Sequence, residues 1–140
     1  MHTDMISMVV ARTASKIGLH VIPEFVRWTK SGGAAKKRYY NKSGAFFTLP
    51  IWLKNEPLEY QIAYIVHETC HFAPDSSWSH DQGFYAAERA GLAVWGLTPH
   101  FVGNERYLSV LTNENGEVVW TKATANTKLR HVRLAYGESR

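Results

Sequence analysis

The sequence predicts a single α+β domain: an N-terminal helix, a short antiparallel sheet, two further helices and a C-terminal β-hairpin. Three observations predict it. Apolar residues recur at helical spacing in three segments, near the start and on both sides of residue 75. Short β-branched and aromatic runs flank Asn/Gly-rich tetrapeptides at two places. At 140 residues, 45% of them hydrophobic and 13% aromatic, the chain suits one packed core.

Taken in order, Thr3 to Lys16 carries Met5, Met8, Val9 and Arg12 on one helical face, with Gly18 as a stop. Leu19 to Pro23 and the alternating Phe25-Val26-Arg27-Trp28 read as strand, and Ser31-Gly32-Gly33 as a turn. Arg38-Tyr39-Tyr40 and Ala45 to Leu49 flank Asn41-Lys42-Ser43-Gly44 as a hairpin. Two or three antiparallel strands are thus expected before residue 57.

The clearest helix is expected over Pro57 to Phe72. Proline suits a first turn, where its missing N–H has no partner to lose. Leu58, Ile62, Ile65 and Thr69 form one stripe, expected to anchor the helix and to leave the opposite face, with His67 and His71, free. Pro74 ends the segment. Ser79-His80-Asp81-Gln82 matches a capping box opening the next helix, whose stripe is Phe84, Ala87, Gly91, Leu92 and Trp95. Gly96 and Pro99 close it. Tyr107 to Leu111 and Glu117 to Trp120 flank Asn113-Glu114-Asn115-Gly116 as the second hairpin. The core is expected over about 3–121, with a basic tail over 122–140.

Chemistry concentrates in His67-Glu68-Thr69-Cys70-His71. Histidines four apart project from one helical face and can share a metal ion, and Glu68 sits beside them as a general base toward a metal-held water. Zinc suits the role because it brings the pKa of bound water to about 7, although manganese or cobalt could use the same ligands in vitro. With seven histidines and nine glutamates, the pattern arises by chance in roughly one such chain in fifty. Its helical setting lowers those odds further, which favours a site over two surface histidines. Catalytic zinc takes three protein ligands. His80, opening the following helix, is the first choice for the third, with Glu88 within that helix and the nearer Asp75 as alternatives.

The block from His67 to His71, followed by His80-Asp81-Gln82-Gly83-Phe84, resembles the SprT-like zincin family of zinc metallopeptidases, which includes the Spartan-related proteases of DNA–protein crosslinks. The likeness spans roughly residues 3 to 97, and its specific part is 67–84. It implies a zincin-like fold, His67, His71 and His80 as zinc ligands, Glu68 as general base, and a strand near Phe46 to Leu49 offering its edge to an extended peptide. Two departures stand out. Asp81 occupies the place where the family usually has glycine, and a single cysteine leaves no zinc ribbon.

The expected function is therefore a zinc metallopeptidase acting on protein or peptide, with DNA-associated proteins as one substrate class or a single defined partner as another. A different class remains in view: a nucleic-acid-binding module with a structural or vestigial metal. Its basis is the stretch between Glu24 and Glu56, which has no acid but holds Arg27, Lys30, Lys36, Lys37, Arg38, Lys42 and Lys54 among aromatics. The alternative for that stretch is a solvated face with its aromatics packed inward. Cys70 reads as a packing residue. His20 and His100 lack a partner at ligand spacing, though His100 could reach a substrate oxyanion. Tyr60 and Tyr64 line either the cleft or the core, Trp95 suits the core, and Trp78 could wall the site. No apolar run of membrane-spanning length occurs, and Met1-His2-Thr3-Asp4 does not resemble a secretory signal, so no membrane partner and a cytoplasmic location are expected.

Overall fold

A computed structural model describes residues 3–19, 23–30, 34–37, 45–74, 82–100 and 108–124. Helix α1 spans Thr3–Ile17. Ile6, Val9 and Thr13 form its buried face, while Met8 and Arg12 are exposed. The buried face is thus turned by about one residue from the expected stripe, and α1 packs against two other helices. Thr13 tolerates burial because its hydroxyl oxygen accepts the Trp95 Nε1–H at 3.2 Å, and Arg12 lies 4.6 Å over the same indole. Gly18, at φ +74°, ends the helix as expected, its N–H donating to the Ala14 carbonyl.

Strands β1 (Pro23–Thr29), β2 (Ala34–Lys37) and β3 (Ala45–Pro50) form one sheet in the order β1-β3-β2. Strands β2 and β3 pair antiparallel, while the expected hairpin strand at 38–40 and its loop at 41–44 lie outside the described residues. The expected all-antiparallel sheet is corrected by β1, which runs parallel to β3. Parallel neighbours need a crossover of about a dozen residues or more. The stretch 30–44 supplies it and carries β2 within it, a relation that alternation in sequence does not encode. A 3₁₀ turn over Ile51–Asn55, also absent from the sequence expectation, leads into the next helix.

Helix α2 spans Leu58–Cys70, with Pro57 as its N-cap residue. Helices α1 and α3 (Gln82–Val94), the first sheet and strand β6 (Val118–Thr121) all pack against it. The histidine face is not free: Tyr60, Tyr64, His67 and His71 are buried. The expected anchoring stripe is buried at Ile65 and Thr69 and partly buried at Ile62, and only Leu58, in the first turn, is 50% exposed. A helix packed on several sides has no solvent face. The second flank is instead filled by rings. Tyr60 stacks on Trp120 at 4.3 Å and meets Tyr64 edge-on, which in turn meets Trp52 at 5.8 Å. The Trp120 Nε1–H donates to Glu56 Oε1 at 3.1 Å, and Gln61 Nε2 donates to the Glu56 carbonyl at 2.7 Å. These bonds tie the 3₁₀ turn, α2 and β6 together.

Helix α3 crosses the other two helices at Gly91. A Cβ there would lie 2.9 Å from Val66 Cγ1 and 3.1 Å from Thr13 Cγ2, so the crossing distance depends on the missing side chain. Its C-terminus closes on Gly96 at φ +67°, with Leu97 N–H to the Leu92 carbonyl and Gly96 N–H to the Ala93 carbonyl. That is the Schellman pattern, sealed by buried Leu92 and Leu97. The second sheet has the order β4-β5-β6, with β4 at Thr98–His100 and β5 at Val110–Thr112. The β5–β6 hairpin turns where expected: Asn113 Oδ1 accepts the N–H groups of Asn115 and Glu117, and Gly116 takes φ +80°. Strand β4 was not expected, since Pro99 reads as a terminator. On an edge strand, however, proline is tolerated. Among the described residues no helix is long and apolar enough to cross a membrane.

Candidate functional site

The last two turns of α2 bring His67, Glu68 and His71 together below the surface, at 1%, 2% and 8% exposure. The two imidazole rings stand 5.3 Å apart between centres and 87° to one another. Two imidazoles on one tetrahedral zinc, with Zn–N about 2.0–2.1 Å, hold their centres roughly 5 Å apart, so the observed spacing suits a shared ion. Phe84, in the first turn of α3, packs on both rings, 4.9 Å from His67 and 4.4 Å from His71. One helical turn further along α3, Glu88 is fully buried and shares a 2.6 Å hydrogen bond between its Oε2 and His67 Nδ1.

Glu68 is the electrostatic anomaly. Burial first, and then the neighbouring Glu88 carboxylate, push its carboxyl from 4.5 up to about 8. Its Oε1 has no hydrogen-bond partner among the described residues. A buried carboxyl with an orphaned oxygen is costly, and a hydrogen-bond partner or a cation would relieve it. Cys70 faces the opposite flank, buried in the core where Gly91 of α3 approaches. Burial, with Glu88 and Glu68 adding to it, holds its thiol well above 9. Such a thiol is a packing group rather than a nucleophile.

Of the predicted site residues, the structure brings His67, Glu68 and His71 together. His80 and Asp75 lie outside the described residues, as do His20, Trp78 and the start of the capping box. Among the described residues no three His, Cys, Asp or Glu side chains form a group able to hold a metal ion. Glu88 is engaged at His67 Nδ1. Tyr60 and Tyr64 belong to the core. His100 sits exposed on β4, its Nε2 hydrogen-bonded to Thr112 Oγ1 at 2.8 Å. The substrate edge expected at Phe46 to Leu49 is corrected by the sheet order: β3 is central and both of its edges are paired. Of the basic, aromatic stretch, the described part places Lys54 Nζ 4.4 Å over the Trp28 ring, so that cation is turned onto the chain's own aromatic.

The Glu88 partnership escaped the sequence reading, which considered this residue only as a ligand. The signal was present. Glu88 falls four residues after Phe84, on the apolar stripe that also carries Gly91 and Leu92, and an acid on a buried stripe demands a partner.

No protein-family model matches the chain, and neither does a curated protein or a solved structure.

Proposed function

We propose that the chain is a zinc-dependent metallopeptidase of the SprT-like kind. The observation that carries this reading is the pair of imidazoles at shared-ion spacing, with a buried glutamate oxygen beside them that has no partner among the described residues. His67 and His71 would hold the ion, with His80 as the expected third donor. Zinc, when bound, makes water nucleophilic near neutral pH and polarises the scissile carbonyl. Glu68 accepts the proton that the attacking water gives up and delivers it to the leaving amine as the C–N bond breaks. Water is thus divided between the new carboxyl group and the new amine. Phe84 packs against both imidazole rings and limits their motion.

The test compares wild type with Glu68→Gln, both supplied with zinc, on an unfolded protein and on a DNA-bound protein. Both should carry about one zinc per chain, while cleavage by the variant falls about 10²–10⁴-fold. Equal cleavage by the two proteins would rule the mechanism out. A requirement for DNA would select DNA-associated proteins as substrates, and cleavage indifferent to DNA would argue against them. His67→Ala and His80→Ala should each lose the metal. Retention of zinc by His80→Ala would move the third donor elsewhere.

A further inference from the structure

We infer that Glu88 is a positioning residue: from α3, it fixes His67 as the Nδ1–H tautomer and presents Nε2 to the metal before any metal arrives. This rests on the metallopeptidase reading for the identity of the ion, but the tautomer itself does not. The bond between Nδ1 and Oε2 is 2.6 Å, and both side chains are essentially excluded from solvent. An ionised carboxylate only accepts hydrogen bonds, so with Glu88 ionised and His67 neutral the hydrogen in this contact sits on Nδ1. A histidine whose Nδ1–H is held by a carboxylate has its ring orientation and tautomer set together, and its Nε2 is the nitrogen with a lone pair for a cation.

Three features of α3 make the arrangement a preformed one. Phe84 meets the face or edge of both imidazoles. Glu88, one turn on, reaches Nδ1. Gly91, nearly one turn beyond, lets α3 approach α2 closely enough for both contacts, since a Cβ there would strike Val66. The same geometry separates Glu88 from a ligand role. Its Oε2 lies on the nitrogen of His67 opposite to the one that would take the ion, so it acts through His67 rather than on the metal.

The experiment reads both halves separately, on the full chain. In metal-free protein, ¹⁵N chemical shifts of His67 should report the Nδ1–H tautomer in wild type and a loss of that preference in Glu88→Ala. Glu88→Gln keeps an acceptor oxygen at the same reach and should restore the tautomer, which guards against a variant that merely fails to fold. In chelator competition with zinc, Glu88→Ala should bind about 10–100-fold more weakly, with Glu88→Gln in between and His67→Ala no longer binding at stoichiometric levels. An unchanged His67 tautomer in Glu88→Ala would overturn the inference. So would loss of zinc in Glu88→Ala as complete as in His67→Ala, which would make Glu88 a ligand. If wild type itself takes up no zinc, the metallopeptidase reading falls, and the tautomer shift alone decides whether Glu88 holds His67.

Discussion

The two flanks of α2 are both buried, but they are built on opposite terms. One carries Ile65, Val66, Thr69 and Cys70, all buried, with Val66 and Cys70 beside Gly91 of α3. Its single hydroxyl is satisfied within the helix, Thr69 Oγ1–H donating to the Ile65 carbonyl at 2.8 Å. The other carries His67, Glu68 and His71, with Tyr60 and Tyr64 continuing the row. There the polar groups depend on partners brought by other elements, and one oxygen of Glu68 has none among the described residues. The first flank is apolar packing, whereas on the second the buried carboxyl of Glu68 carries a desolvation cost.

That contrast can be broken or sharpened by measurement. The largest expected effect is the pH dependence of the metal-free protein. Glu68 titrates at about 8 when folded, against an ordinary value near 4.5. Between those values the native state holds more protons than the unfolded state, so stability falls as pH rises through the window, at up to about 1.4 kcal/mol per pH unit. Melting temperatures of wild type should decline from about pH 4.5 to 8, and those of Glu68→Gln should be flatter. Equal slopes would show that this flank carries no such cost. Zinc should oppose the decline by favouring the ionised carboxylate.

On the aliphatic flank, Ile65→Ala should cost about 2–5 kcal/mol in denaturant unfolding, as for a fully buried aliphatic. Zinc affinity of the folded fraction should stay the same. A change in affinity without a change in stability would reverse the roles assigned to the two flanks. Gly91→Ala should cost about 1–3 kcal/mol, because its methyl must push Val66 and Thr13 aside. It should also weaken zinc binding, since it moves the helix that carries Glu88. At the bottom of the scale, Leu58→Ala should change stability by no more than about 0.5 kcal/mol, its side chain being half exposed. A large effect there would extend the anchoring stripe to the first turn of the helix. Cys70, buried on the aliphatic flank, should resist alkylation in the native protein and react only on unfolding.

Local chemistry was legible. The caps at Gly18 and Gly96, the turn at Asn113 to Gly116 and the helical setting of His67 and His71 each follow from conformational preferences within a few residues. Where the reading failed, the deciding contact lay far away in the chain. The parallel pairing of β1 with β3, the edge position of β4 and the burial of the histidine flank are relations between segments. Glu88 and His67 are 21 residues apart, and only the crossing of α3 over α2 turns an acid on an apolar stripe into a partner for a particular imidazole.

The amino-acid sequence by itself determined that two histidines and a glutamate share the end of one helix, because four-residue spacing and a 3.6-residue turn leave no other outcome. The tertiary structure decided that this end is buried, that Phe84 and Glu88 pack on it, and that β3 has no edge to offer. Backbone geometry sets neighbours within a helix, whereas burial, pairing and pKa depend on which distant surfaces close over it.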